Sequence, residues 1–391
     1  SSQKFLSRYF VGLYPLNIVR YFTCIGCMIL IVIPQVIKVY QERQSLTAVL
    51  EISSVLFMLV VSMLKSFIWI FNRKSLQSLI HFMLTDYWQL VNTDTSKHLM
   101  IYIVFLTMTV CRYAKKITKS YMLLIFNALL FFYSLPVIDI IVTVTSSTTD
   151  DSIRKNFPFV ASYPLTFYTF PLYEIIYISQ MLATSFCGLL VLAIDTIIAT
   201  ALFYTCGHFK LLQEKLSKLD TDIHVAMKLR IARIVRHHQI VLWFCDGMER
   251  NFSLMLLLQT LASSSIICLV GLQVSTTLAE RSKLVKYFSY LLMALFQILL
   301  FSFPGDILIS QSTNVRDAVY SIQWYDLPIL LKTEVYLLIL RGQKPSRITA
   351  GKLYVMHLEH FSTVLSTALS YFTLLRSFSS GDTDRNCFGK R

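Results

Sequence analysis

The residues able to do chemistry in this chain are few, and their spacing excludes most of it. His357-Leu358-Glu359-His360 sets two imidazoles around a carboxylate. A zinc-binding helix needs the H-E-x-x-H order, with both ligands one turn apart and a base between them. Cys24 and Cys27 form a C-x-x-C inside an apolar run, with no partner pair and no soluble redox fold around it. His208, His224, His237 and His238 stand in a charged segment without acids or cysteines at ligand spacing, and read as a solvated face. There is no G-x-S-x-G, P-loop or Gly-rich dinucleotide fingerprint. The pattern points to no enzyme, no metal and no cofactor. What remains is the chemistry of reversible binding and of passage.

Passage is suggested by residues 354–375. On a helical wheel Tyr354, Leu358, Phe361, Val364, Leu365, Ala368, Leu369, Tyr371, Phe372 and Leu375 fill one half. Glu359, His360, Ser362, Thr363, Ser366, Thr367, Ser370 and Thr373 fill the other, with Leu374 and Met356 the large apolar residues among them. At ~1.5 Å per residue such a helix covers the ~30 Å hydrocarbon core of a bilayer. Its hydroxyl half cannot face lipid, because unsatisfied polar groups are costly there. Two readings stay open: a Ser/Thr stripe packed on neighbouring helices, or one wall of a water-filled path. In the second, Leu374 at the outer end suits a dewetting constriction. His360, nearer the inner end, is a site where titration would modulate passage.

The elements that must position these residues are membrane spans. Of 391 residues 55% are hydrophobic and 15% charged, well displaced from the ~25% charge of soluble domains. Expected spans cover residues 21–39, 48–70, 121–144, 172–204, 254–278, 286–309 and 354–375. No cleavable signal peptide is read at the N-terminus. With the N-terminus inside, inner segments carry 24 Lys/Arg and outer loops 7, the positive-inside asymmetry. That distribution also turns the net charge of +14 away from nucleic acid. The expected fold is an all-α polytopic membrane protein with seven transmembrane helices, a cytoplasmic N-terminus and an extracellular C-terminus.

Between spans, residues 73–119 read as helix below the membrane, the 99–111 run being too short to cross. Lys65, near the inner end of span two, is expected to snorkel. Residues 145–171 form a Ser/Thr/Asp/Pro-rich outer loop with interfacial aromatics. Residues 210–250 are a charged cytoplasmic helix, so the sequon Asn251-Phe252-Ser253 would stay unmodified. Residues 315–340 carry too many charges to span and read as a cytoplasmic helix. Cys111-Arg112-Tyr113 lacks the acid of the G-protein-coupled receptor triplet, and no repeat of transporter type appears.

The block 302–375 carries a resemblance. Gly305 near the end of span six is followed by Ala318-x-Tyr320 and Trp324-Tyr325. Then come Arg341-x-Gln343-Lys344-Pro345, an apolar helix with Phe361, and Ser370-Tyr371-Phe372. Together these resemble the C-terminal signature of insect odorant receptors. The first two-thirds agree only in span layout and in Ile117-Thr118-Lys119-Ser120-Tyr121 before span three. A gustatory receptor is the neighbouring alternative, but Arg376-Ser377-Phe378 stands where that family's ending should be.

The resemblance implies an odorant-gated, non-selective cation channel of four subunits in the plasma membrane of sensory-neuron dendrites. It implies an odour-tuning subunit partnered by the odorant co-receptor, since residues 210–250 lack the co-receptor's long insertion. Residues 1–310 would be a six-helix bundle holding the ligand pocket, 311–353 a cytoplasmic anchor, 354–376 the pore-lining span and 377–391 an extracellular tail. The pore and gate would draw on His360, Thr363, Thr367, Ser370 and Leu374. Pocket candidates by position are Phe57, Met58, Phe131, Phe132, Tyr133, Tyr177, Gln180, Met181, Ser185, Tyr290, Met293 and Phe296. Their chemistry suits a small, neutral, mostly apolar volatile.

Overall fold

The computed structural model describes residues 14–92, 97–146, 157–219, 224–276 and 281–388. Nine helices carry that chain: α1 (Tyr14–Gln41), α2 (Leu46–Phe71), α3 (Arg73–Asn92), α4 (Lys97–Ser146), α5 (Leu172–Ser217), α6 (His224–Thr276), α7 (Arg281–Tyr320), α8 (Ile329–Gly342) and α9 (Leu358–Phe388). Between α8 and α9 lies a hairpin of β1 (Thr349–Ala350) and β2 (Tyr354–Val355). Among the described residues five segments are long and apolar enough to cross a membrane: Ala48–Phe71, Arg112–Ile138, Leu172–Ser217, Met227–Val274 and Leu284–Tyr320. In α1 the apolar stretch is shorter, Ile25–Gln41, and α9 carries Ser and Thr along one face.

Helix α4, at 50 residues, joins what the sequence reads as a submembrane helix and a separate third span. No Gly or Pro interrupts residues 97–135, so nothing in the backbone chemistry ends the helix there. The opposite happens after span six. Residues 315–340 are not one helix: α7 ends at Tyr320, a 3-10 turn covers Trp324–Asp326, and α8 begins after Pro328. Proline disfavours a helical residue before it, and Leu327 is accordingly extended, at φ −76° and ψ 153°.

At the centre, α5 packs along α7, with α2, α4 and α6 around them. Their shared core holds a polar knot. Lys65 on α2 is 1% exposed and its Nζ lies 2.6 Å from Asp195 Oδ1 on α5. Tyr121 on α4 donates to Asp195 Oδ2 at 2.9 Å, and Gln297 on α7 donates to both, at 2.8 and 3.1 Å. The expected snorkelling of Lys65 is thus corrected. An aspartate inside span four offers it a partner, and a paired, hydrogen-bonded charge tolerates burial that a lone one does not.

The histidine reading is corrected too. His208, His237 and His238 are each 3% exposed, and His208 Nδ1 meets His237 Nε2 at 2.9 Å. The last turns of α5 and the first turns of α6 pack on each other and enclose them; His224's side chain lies outside the described set. Asn251 is buried as well, donating to Ser75 Oγ and to the Gly247 carbonyl.

The hairpin moves the start of the last helix. Tyr354 and Val355 pair with Ala350 and Thr349, so α9 starts at Leu358 and not at 354. Gly351 and Lys352 turn the chain with φ of 61° and 62°, left-handed values that cost an L side chain ~1–2 kcal/mol. Glu249 on α6 accepts from the Thr349 N–H at 2.8 Å and pairs with its hydroxyl, while Gly351 N–H reaches the Ser253 carbonyl at 2.9 Å. On the far side Met356 lies so close to α7 that a Cβ at Gly305 would overlap its carbonyl oxygen. His357 then caps α9, its Nδ1 accepting from the His360 N–H at 2.9 Å.

Candidate functional site

A cavity opens among α2, α4, α5 and α7. Its walls follow helical phase: Val55, Met58 and Leu59 on α2; Ile125, Ala128, Leu129 and Phe132 on α4; Thr184 and Cys187 on α5; Tyr290 and Met293 on α7. Phe159, from the loop before α5, completes the lining. The cavity is small, about 30 Å³, room for a water molecule or two, so a ligand of small-molecule size must shift side chains to enter.

Of the pocket candidates, the structure brings together Met58, Phe132, Tyr290 and Met293. Phe57 is 45% exposed and points away from the cavity, because the next residue along a helix turns ~100°. Phe131 is off the lining for the same reason. Phe296 stacks on Tyr121 at 5.9 Å, beside the polar knot. Tyr133, Tyr177, Met181 and Ser185 form a brace between α4 and α5. The Tyr133 hydroxyl meets the Met181 carbonyl, Thr184 Oγ1 and Ser185 Oγ at 3.0, 2.7 and 3.0 Å, and Tyr177 donates to the Tyr133 carbonyl at 2.7 Å. Gln180 is fully buried, its amide engaged by the loop. The residues missed, such as Val55, Ile125, Leu129 and Cys187, are plain apolar ones on the same faces, legible from i, i+3, i+4 phase once one anchor is fixed. Phe159 has no such signal.

The polar endowment of the cavity is small and already committed. Thr184 donates to the Gln180 carbonyl at 2.7 Å and Tyr290 to the Ser54 carbonyl at 3.0 Å. With both protons spent, an occupant meets acceptor oxygens in an otherwise hydrocarbon wall. Phe132 forms the hub of that wall. Phe159 stacks on it at 5.1 Å, Tyr290 meets it edge-on at 5.8 Å, and Lys286 Nζ stands 4.5 Å from its centroid. Lys286 is itself paired with Glu51 at 2.9 Å.

Helix α9 packs through a narrow stripe. His360, Val364 and Ala368 are buried, and Phe372 lies against Gly271 of α6. His360 therefore turns away from the hydroxyl face, a correction to its expected position; its ring stacks on Tyr354 of the hairpin at 4.8 Å. Thr363, Thr367, Ser370 and Leu374 stay on the exposed side. Thr363, Thr367 and Ser370 each donate to the carbonyl four residues back, at 3.0, 2.8 and 2.9 Å. With those protons engaged, their oxygens remain available as acceptors.

A family model described as 7tm odorant receptor matches residues 45–369. The chain is 33% identical over 248 residues to odorant receptor 13a of Drosophila melanogaster, covering 58% of this chain and 59% of that one. It is 28% identical over 214 residues to odorant receptor 10 of Aedes albopictus, covering 54% and 56%. These matches span less than two thirds of each relative's own length. In fold it is similar to the insect olfactory receptor OR5 of Machilis hrabei in complex with eugenol, at TM-score 0.79 and 18% identity, over 93% of this chain and 90% of that one. The fold so matched is a seven-helix membrane bundle.

Proposed function

This chain belongs to the insect 7tm odorant receptor family, a family of receptors and not of enzymes, and from that premise we propose that it is an odour-tuning subunit of a ligand-gated, non-selective cation channel. The observation that carries the reading is the apolar cavity at one level of α2, α4, α5 and α7, joined by helix packing to a last helix with an exposed hydroxyl face. The ligand is a small, neutral, mostly apolar volatile. Since Thr184 and Tyr290 have spent their protons, a ligand that donates one hydrogen bond, as an alcohol or phenol does, fits better than one that only accepts. Eugenol, bound by the structural relative, is of that chemical kind.

In this reading the exposed face of α9 lines a pore shared by four subunits, with Thr363, Thr367 and Ser370 along the path and Leu374 as its constriction. The chain up to residue 310 holds the pocket, 311–357 with the hairpin anchor the assembly inside the cell, α9 from Leu358 to residue 376 forms the pore helix, and the chain beyond it lies outside. The odorant co-receptor completes the heterotetramer in the plasma membrane of the sensory dendrite. Ligand opens the pore only to the degree that it binds the open-state pocket more tightly than the closed one.

The deciding experiment is whole-cell current from cells expressing this chain alone, and with an insect odorant co-receptor, across a panel of small volatiles. Current within milliseconds, with both chains only, is the expected result. A slow response blocked by G-protein inhibitors, or none from protein at the surface, would overturn the channel reading.

A further inference from the structure

The loop preceding α5 supplies one wall of the cavity, and the means by which it does so is built into α5. Phe159 is 5% exposed and stacks face to face on Phe132. Its peptide group has no strand to pair with, and Gln180 takes that place. The Gln180 Oε1 accepts from the Phe159 N–H at 3.2 Å, and Nε2 donates to the Phe159 carbonyl at 3.5 Å and to the Tyr163 hydroxyl at 3.2 Å. A second tie holds the same loop to α1: Ser162 N–H donates to the Pro34 carbonyl at 3.1 Å and its hydroxyl to Gln41 at 2.8 Å. A buried glutamine gripping both the backbone N–H and the backbone carbonyl of one residue fixes that residue in place.

We propose that Phe159 is a specificity-determining residue that caps the cavity and sets the length of ligand it accepts, and that Gln180 is the positioning residue that holds it there. The inference rests on reading the cavity as the ligand pocket. Gln180 acts on the ligand through Phe159 and not by touching it. Removing the ring adds room along the ligand's long axis; enlarging it takes room away. Releasing the peptide leaves the cap present but loose.

The test uses straight-chain 1-alkanols from butanol to dodecanol, applied to cells expressing the 391-residue chain with the co-receptor, with surface protein measured alongside. Phe159→Ala is expected to move the best chain length up by about three methylenes, near the bulk of the lost ring. Phe159→Trp is expected to move it down. Gln180→Leu is expected to keep the optimum but flatten the profile, with washout roughly three- to tenfold faster, since such changes fall on the off-rate. An unchanged optimum in both Phe159 variants at normal surface level overturns the proposal. Should the wild-type chain pass no current with any small volatile of the wider panel, the channel reading fails separately. The same profile is then read as displacement of 1-aminoanthracene from purified protein in lipid nanodiscs. There a shifted order in the variants supports the cap, and an identical order overturns it. No displacement by any alkanol takes down the pocket reading and the cap together.

Discussion

At the scale of single residues, the Lys65–Asp195 pair makes the sharpest demand. Each is essentially inaccessible, so removing one partner strands a charge in an apolar bundle. Lys65→Met or Asp195→Leu alone should destabilise the fold by ~3–5 kcal/mol, while the double substitution should recover most of the loss. Thermal unfolding of detergent-purified protein checks this, and equal damage from the double would refute it. Leu374 makes a different demand. If it closes the path, Leu374→Ala should raise resting cation current without ligand, read as whole-cell conductance at constant surface protein. Unchanged basal current and unchanged gating would remove it from the gate. That Leu374 faces the exposed side was legible in the sequence, because large apolar residues in the hydroxyl stripe are few, Leu374 and Met356, and stand out on a wheel. Lys65's partner was not, because the two residues lie 130 positions apart and only packing brings them together. Phe57 and His360 went astray for a shared reason. Position along a helix gives depth, but the side a residue faces depends on neighbours the sequence does not name.

At the scale of elements, the hairpin between α8 and α9 ties the start of α9 to α6 and α7. It is held by Glu249 and Ser253 on α6 and by the close approach of Met356 to Gly305 on α7. Gly305→Val must push a backbone segment aside, so a loss at or above the ~1–3 kcal/mol of ordinary overpacking is expected. Fluorescence-detected size exclusion should report less monodisperse protein. Glu249→Gln, which keeps the shape and part of the hydrogen bonding, should be mild by comparison. A wild-type profile for Gly305→Val would deny the close approach any importance. The long helices were readable as apolar runs, whereas the two-residue strands were hidden inside a pattern that looked helical. A strand pair that short has no period to detect, and it is the left-handed pair Gly351-Lys352 that makes it.

At the scale of the whole molecule, the distribution of Lys and Arg sets the expected orientation. An epitope at the N-terminus of intact cells should be reached only after permeabilisation, and one at the C-terminus should be reached without it. The reverse pattern would place the pocket and the anchor on the wrong sides. The same view gives the hairpin a mechanical meaning. A long helix seized at its N-terminal end and held above by one narrow stripe of Val364, Ala368 and Phe372 is a lever with a fixed fulcrum. Leu374 stands sixteen residues beyond Leu358, about 24 Å up the axis. A tilt of roughly 5° about the seized end would swing Leu374 by about 2 Å, whereas residues beside the fulcrum would scarcely move. If the exposed face of α9 lines the path, a swing of that size at Leu374 changes the diameter at the far end while the hairpin stays put.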